Sequence, residues 1–478
     1  MITMVQFSIK SMAQEMVGIS NTKYNAIHGA ILNPALPVLS PFYLDINIIT
    51  AHVFIQNNFI YIKKEEDKFN RFLKGEVESP DNKFYYDYYT PDLKHAYTNF
   101  RLLGPSFTII AGKNAFGLSV AIRSATSFRN IPMHVAKFLY EGLYFPPQYD
   151  IRYDQSERMS FANLEFGEFG LSFSRIIHNQ GLDIWSVGGT LKILPAFAGA
   201  YAFSEHVDFE VPHYDTLTVY DADMEAGLSL PLNYETDEFK GTPLFKGFGA
   251  AMDLGIVYSR KKTAGINNYE IRRLCAQAYY PYHWRIGLSL IDLGSIRFNK
   301  NAKKLKVQNG SFFWPGIDSL KYNSSGGMIT ELSNRFYNDP VQLVSDDKFR
   351  IALPTSLNIH ADYNFISNWF VSMVGVLPIR LSKAEVIRSS FISGGVRYEN
   401  RNFHIGTNLT FDNKFYFGLN GRIGNFFIGS ENILSFFKIT DFTGTDLYAG
   451  IRLSMFKGKC PRFSGSACNF EEYEKFRR

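Results

Sequence analysis

Few side chains in this sequence stand at spacings that support chemistry. In the stretch HADY, His360 and Asp362 are two residues apart, so on a strand their side chains share a face, as a general base and its carboxylate partner would. A lumen polar pair that satisfies its own hydrogen bonds is the simpler interpretation. The ten histidines show no H-E-x-x-H spacing, and neither a G-x-S-x-G elbow nor a phosphate-binding loop occurs. The sequence therefore predicts no catalytic residue, no metal site and no cofactor, and we do not expect an enzyme.

The three cysteines are Cys275, Cys460 and Cys468. They are too few for a disulfide framework, and their spacing is not that of a metal site. Cys460 and Cys468 lie close together in the polar tail, where a local disulfide would form in an oxidising compartment. Two unpaired thiols are an equal alternative.

Two basic runs, SRKK at 259–262 and KNAKKLK at 300–306, fall at the ends of predicted strands. They could meet anionic lipopolysaccharide, and solvated strand ends are the alternative. The net charge of +5 over 478 residues is small and spread along the chain, which argues against a nucleic-acid partner.

The secondary structure that would position these residues is clearest in residues 402–424, NFHIGTNLTFDNKFYFGLNGRIG. Apolar and polar residues alternate on both sides of Asp412-Asn413-Lys414, which has the composition of a tight turn. The pattern predicts a β-hairpin with unlike faces. Similar alternation recurs at 106–128, 168–193, 249–260, 282–298 and 446–456.

The residue types on the two faces indicate the surroundings of each. One face is apolar with aromatic residues near strand ends, and the other is rich in Gly, Ser, Asn and Arg rather than the Lys, Glu and Thr of a soluble sheet. Transmembrane barrels turn apolar residues to lipid and polar residues to the lumen. No stretch of about 18 apolar residues occurs, so no transmembrane helix is predicted. A soluble β-sandwich is the alternative.

The fold class predicted is all-β: a transmembrane antiparallel β-barrel over residues 42–456, with about 14 strands, or about 16 if residues 43–62 add a pair. Helical inserts are expected near 132–143 and 327–336. Residues 1–14 have the character of a remnant export signal, and residues 457–478 form a polar tail, predicted to be periplasmic. Residues 15–41 contain Pro34, Pro37 and Pro41 and little alternation, so they are expected to form a short hatch or plug at the barrel mouth.

The segment YNAIHGAILNPALPVLSPFYLDI, with Asn33-Pro34-Ala35 just before the first strand, resembles the N-terminal hatch of the long-chain fatty-acid transporter barrels. With FGAAMDLGIVY, WRIGLSLIDLGSIRF and LPTSLNIHADYNF it is still more similar to a poorly characterised family of outer-membrane proteins from bacteria that use type IX secretion. The resemblance covers about residues 18–456.

The first resemblance implies a 14-stranded barrel in the outer membrane of a Gram-negative bacterium, surrounded by lipid and lipopolysaccharide, that passes small hydrophobic molecules past a hatch containing Asn33 and Pro34. The second implies a barrel that binds secretion or envelope proteins and does not conduct. An open lumen would favour the carrier, and a filled lumen would favour the non-conducting barrel. The sequence does not distinguish between these two functions.

Overall fold

The computed structural model describes residues 16–63, 86–239, 241–262, 280–317, 324–412, 414–437 and 439–455. The predicted export signal, the polar tail and Cys275, Cys460 and Cys468 lie outside these residues. The described part is mostly β-strand (61%) and closes into an antiparallel barrel of 14 strands, which confirms the predicted fold class.

Several barrel strands are interrupted and consist of two or three β-segments, so the segments are described first. These are β1 Leu44–Asn57, β2 Ile60–Tyr61, β3 Tyr86–Asp87, β4 Lys94–Leu103, β5 Ser106–Ala111, β6 Asn114–Ile131, β7 Arg152–Gln155, β8 Met159–Gln180, β9 Asp183–His213, β10 Thr216–Ser229, β11 Gly247–Lys261, β12 Tyr282–Phe298, β13 Ala302–Val307, β14 Phe312–Pro315, β15 Val344–Asp346, β16 Phe349–Ala352, β17 Ser356–Ile366, β18 Trp369–Pro378, β19 Phe391–Glu399, β20 Phe403–Asp412, β21 Lys414–Ile423, β22 Phe426–Ser430 and β23 Gly444–Met455.

Neighbouring segments combine into the barrel strands. Each of β1, β6, β9 and β18 to β23 is one barrel strand, and the others are β4 with β5, β7 with β8, β10 with β11, β12 with β13 and β14, and β15 with β16 and β17. The barrel closes where β1 pairs with β23, from Leu44 opposite Met455 to Gln56 opposite Gly444. Both ends of the barrel sequence therefore lie at the same rim, which we call the terminal rim, and the other is the far rim.

The wall is apolar outside and polar inside. In β20, Ile405 and Leu409 are each 51% exposed, whereas His404 and Thr410 are 1% exposed. The segment β21 repeats this pattern and pairs with β20 through the turn predicted at 412–414. A soluble sheet would bury its apolar residues, so this inverted arrangement is that of a barrel whose outer face meets lipid.

The two rims differ in their connections. At the terminal rim the chain turns tightly at Gly112, Gly181 and Gly424, whose positive φ angles suit glycine. At the far rim, β9 continues to His213 and carries an extension of the wall built from β7, β10, β13, β14 and β15. Short turns at one rim and long connections at the other are typical of outer-membrane barrels.

Helices pack on this extension. The helices α3 (Met133–Glu141) and α4 (Ser325–Tyr337) lie over a cluster that includes Phe209, Val211 and Ile329. Of the described helices, none has the length and apolarity needed to cross a membrane.

The sequence-based boundaries fail in the far-rim extension. Residues 299–348 read as a long connection, yet they contain β13, β14 and β15, whose partners are distant segments of the wall. The basic run at 300–306 accordingly lies mostly within β13 and does not mark a strand end. Lys303 and Lys304 are consecutive, so each face of β13 carries a lysine, which hides the alternation on which the prediction depends.

Candidate functional site

The N-terminal segment fills the lumen at the terminal rim. Residues 16–41, here called the plug, contain the helices α1 (Val17–Ser20) and α2 (Ile27–Leu32) and a 3-10 turn at Pro37–Leu39. Nearly all of its side chains are buried, polar ones included. Prolines at 34, 37 and 41 keep the segment out of the sheet because they cannot donate the backbone hydrogen bonds that a central strand requires.

The plug is tied to several sides of the wall. The amide of Gly18 donates to Glu431 Oε1 (3.1 Å), the Ser289 hydroxyl donates to the carbonyl of Leu32 (2.6 Å), and the Ser186 hydroxyl donates to the carbonyl of Ala35 (3.0 Å). These partners lie after β22, on β12 and on β9. The plug therefore crosses the lumen and does not lie along one side.

The plug residues Asn33 and Pro34, for which a hatch role is predicted, sit at the tightest contacts. The Asn33 amide nitrogen donates to the carbonyls of Ile256 and Leu288, both at 3.2 Å, and its side-chain oxygen accepts from the amide of Ala35 (2.9 Å). Wall glycines make this approach possible. A Cβ at Gly188 would lie 2.1 Å from the Pro34 carbonyl oxygen, and one at Gly255 would lie 2.0 Å from Asn33 Oδ1. Glycines at inward positions of the wall strands are therefore a feature of the sequence that indicates where the plug contacts the wall. The apolar–polar alternation alone does not indicate this.

His28 of α2 is held as a neutral hydrogen-bonding group. Its Nδ1 lies 3.1 Å from Asn25 Oδ1 and its Nε2 lies 3.0 Å from Thr50 Oγ1. Burial, followed by the positive charges of Arg452 and Arg101, lowers the pKa of His28 to about 3. Protonation of this ring would therefore oppose the docked position of the plug.

His360 and Asp362 both face the lumen, but they do not pair with each other as expected. His360 Nε2 lies 3.2 Å from Asn33 Nδ2, whereas Asp362 accepts two hydrogen bonds of 2.7 Å from the Arg397 guanidinium. Two side chains on one strand face lie near each other, but each forms hydrogen bonds with the residues that pack against it. Here these residues are Asn33 of the plug and Arg397 of the wall. Neither side chain is arranged as a base next to a nucleophile.

A buried charged cluster spans the lumen beyond the plug, toward the far rim. Asp292 accepts from the guanidinium of Arg123 at 3.0 and 2.9 Å, from the ammonium of Lys192 at 2.7 Å and from Arg388 at 2.7 Å. Glu168 pairs with Arg123 at 2.7 Å, and Asp253 pairs with Lys192 at 2.7 Å. The residues of the cluster lie on β6, β8, β9, β11, β12 and the connection after β18. Because they are far apart in the sequence, no local motif predicts the cluster.

Above the charged cluster the lumen becomes apolar. Inward side chains there belong to one buried cluster, here called the upper chamber, whose larger members are Leu164, Phe166, Leu194, Ile296, Phe298 and Ile351. The connection at 379–390 enters this chamber, where Ala384 and Val386 join the cluster. Backbone hydrogen bonds tie it to the wall: Ala352 donates to Ala384 (3.0 Å), and Val386 donates to Ala352 (3.1 Å).

The space left between these layers is small. A cavity of about 40 Å³ lies between α2 and the wall, beside the charged cluster. That volume accommodates roughly three water molecules, whereas a cavity that accepts benzene measures about 150 Å³. Between α2 and the charged cluster, the described residues thus leave room for a few water molecules and not for a hydrocarbon ring.

An apolar outer wall and a lumen stopped by the chain's own N-terminal segment define a plugged transmembrane β-barrel. Residues 34–431 match a family described as a family of unknown function (DUF5723), and the chain belongs to that family. Membership in an uncharacterised family of barrels, as the sequence resemblance implies, is confirmed. Among curated proteins, none matches this chain.

Solved structures similar to this chain include barrels of the fatty-acid transporter type. The toluene transporter TodX of P. putida is 9% identical, with 91% of this chain and 94% of that chain covered, at a TM-score of 0.36. A deltaS2S3 mutant of the TodX monoaromatic hydrocarbon channel is 9% identical, with 94% and 100% covered, at 0.41. A Pseudomonas aeruginosa FadL homologue is 9% identical, with 94% and 99% covered, at 0.31.

Proposed function

We propose that this protein is an outer-membrane barrel of a Gram-negative bacterium that carries small hydrophobic molecules and catalyses no reaction. The observation that carries the proposal is the apolar lining of the upper chamber. Inner walls of outer-membrane barrels are ordinarily polar, yet Phe166, Leu194, Ile296 and Phe298 all turn inward here and are fully buried. An apolar lining of this kind suits an apolar ligand. The exposed outer face would contact lipid and lipopolysaccharide.

Passage on this proposal requires two movements. The connection at 379–390 must withdraw from the upper chamber, because Ala384 and Val386 occupy the space that a ligand would take. The plug must then shift, because the cavity beside α2 is far smaller than a hydrocarbon ring. The plug is held by hydrogen bonds to the wall, each contributing about 1 kcal/mol, and by apolar packing such as that of Leu32 with Val257 and Phe391. Its movement must therefore exchange both kinds of contact while the wall stays folded.

Deletion of residues 18–40 tests the proposal. The wild-type chain and the deletion variant would be reconstituted into lipid vesicles, and uptake of a hydrophobic fluorescent probe would be followed. We expect both to show the heat-modifiable gel mobility of a folded barrel and the deletion to change the uptake rate. Replacement of inward Ile296 by Asn should slow uptake, while the same replacement at outward Leu254 should not change the chamber. Equal uptake by vesicles with and without wild-type protein would contradict the proposal.

A filled lumen favours a second function, a non-conducting barrel that scaffolds a secretion or envelope complex of the type IX kind. The observation behind it is that the plug crosses the lumen and leaves a cavity of about 40 Å³ between α2 and the charged cluster. On this alternative the deletion of residues 18–40 leaves permeability unchanged and alters the set of envelope proteins that co-purify. The two functions therefore predict opposite results from one variant.

A further inference from the structure

The cavity beside α2 has a polar side that the plug does not use. The apolar side chains of Ile27 and Ile31 line it on the plug face. On the wall face it is lined by the basic residues Arg101 and Lys192, by the carboxylates Glu168 and Asp253, and by the hydroxyl residues Thr108, Ser119, Ser172 and Thr190. Its wall is thus equipped with hydrogen-bond donors, in a space that roughly three water molecules would fill.

Arg101 is the unusual member of this lining. It projects inward from β4 and is 6% exposed. Its Nε is buried without a hydrogen-bond partner, and no residue in the described part of the chain forms an ion pair with its guanidinium. A buried arginine without an ion-pair partner is costly, because the charge loses its hydration and the carboxylates of Glu168, Asp292 and Asp253 attract it only from beyond ion-pair distance.

The neighbouring carboxylates are already engaged. Glu168 pairs with Arg123, Asp253 pairs with Lys192, and Asp292 is shared by Arg123, Lys192 and Arg388. With Arg101 included, four basic side chains face three carboxylates, which leaves a formal charge of +1. The cluster thus lacks one negative charge. Arg101, which forms no ion pair among the described residues, lines the cavity together with Lys192, Glu168 and Asp253.

We propose that the cavity binds one small monovalent anion, of the size of chloride or formate, against the guanidinium of Arg101. Planar, forked donors of this kind hold oxyanions and halides well, and the surrounding hydroxyls can complete the shell. The volume excludes an alkyl chain, so the ligand is a free anion and not the head group of a lipid. The anion would neutralise the cluster against which α2 packs and would stabilise the docked plug, whether or not the barrel carries hydrophobic molecules.

Thermal unfolding of the purified full-length protein in detergent tests this site. The buffer would contain sodium gluconate, whose anion is too large for the cavity, replaced stepwise by chloride, formate or sulfate at constant ionic strength. We expect the unfolding midpoint to rise with chloride or formate in the manner of single-site ligand linkage. Sulfate should be weaker than both, because it is larger and divalent. A midpoint independent of all three anions, or a stronger response to sulfate, would overturn the proposal.

Arg101→Met separates a specific site from a general salt effect. The variant removes a buried unpaired charge, so it should unfold at a higher temperature than the wild type in gluconate alone and should bind chloride about tenfold or more weakly. Arg350→Met is the matched control, because Arg350 is exposed on the outer side of β16 and should leave the chloride response unchanged. If Arg101→Met and the wild type respond alike to chloride, the site does not exist.

Discussion

Leu419 offers a direct test of which face of the wall meets lipid. It is the sixth of the ten residues of β21 and is 37% exposed on the outer side. At about 3.4 Å per residue on a strand tilted by about 45°, it lies roughly 12 Å from the Lys414 end and roughly 10 Å from the Ile423 end, near the middle of an apolar band about 25 Å tall. Leu419→Arg should therefore cost about 2–4 kcal/mol, or about 30- to 800-fold in the folding equilibrium.

The assay is a urea refolding titration in lipid vesicles, with the folded fraction read from heat-modifiable gel mobility. Ile423→Arg is the matched control: it lies on the same face of the same strand, is 72% exposed and ends the strand at the terminal rim. There the cost should fall to about 0–1 kcal/mol. Equal losses at the two positions would show that β21 does not cross lipid at the assigned depth. The inward neighbour Asn420 should not tolerate an arginine either, because α1 packs against it at Gly18.

Three further predictions concern the lumen. Gly188→Val should push the plug backbone aside and raise its sensitivity to protease, whereas Gly189→Val, whose Cβ would have no neighbour nearer than 3.3 Å, should not. Asp292→Asn should lower the free energy of unfolding by about 3–5 kcal/mol, because it leaves buried cations unpaired, and the exposed Asp346→Asn should leave it unchanged; equal effects would contradict a structural role for the cluster. The pKa of His28 is lowered from 6.5 to about 3, so the docked plug binds fewer protons than the released plug. The docked state is therefore fully stable above pH 6.5. Its stability should fall by about 1.4 kcal/mol per pH unit as the pH decreases toward 3. Hydrogen exchange of the plug should show this slope in the wild type and a flatter one in His28→Gln.

The barrel wall could be predicted because its information is local. In residues 402–424 each residue's facing follows from the parity of its position, and the turn at 412–414 fixes the register of the hairpin. The burial of His404 beside the exposure of Ile405 is what the alternation predicts. The closing pair β1 and β23 also follows once the strand number is even.

The contents of the lumen could not be predicted because their partners are distant in the sequence. Arg123 and Asp292 are 169 residues apart, and Asn33 and His360 are 327 apart. The alternation predicts only that such residues point into the lumen. Which of them contact each other depends on how the plug packs between them. The far-rim extension was not predicted for a related reason: one of its faces is covered by α3 and α4, which belong to distant connections, and short strands such as β13 do not alternate clearly.

A reversible lock on the plug tests the central claim that hydrophobic molecules pass through this lumen. The Ser186 hydroxyl donates to the Ala35 carbonyl at 3.0 Å, which places the two residues in contact. Cysteines at these two positions, with Cys275, Cys460 and Cys468 replaced by serine, are designed to join the plug to β9 as a disulfide, and loss of the free thiols would verify that the bond has formed. Probe uptake into vesicles would be measured with this variant oxidised and then reduced. A carrier whose plug must move predicts uptake that is lost on oxidation and restored on reduction. Uptake that is the same in both states would contradict the claim.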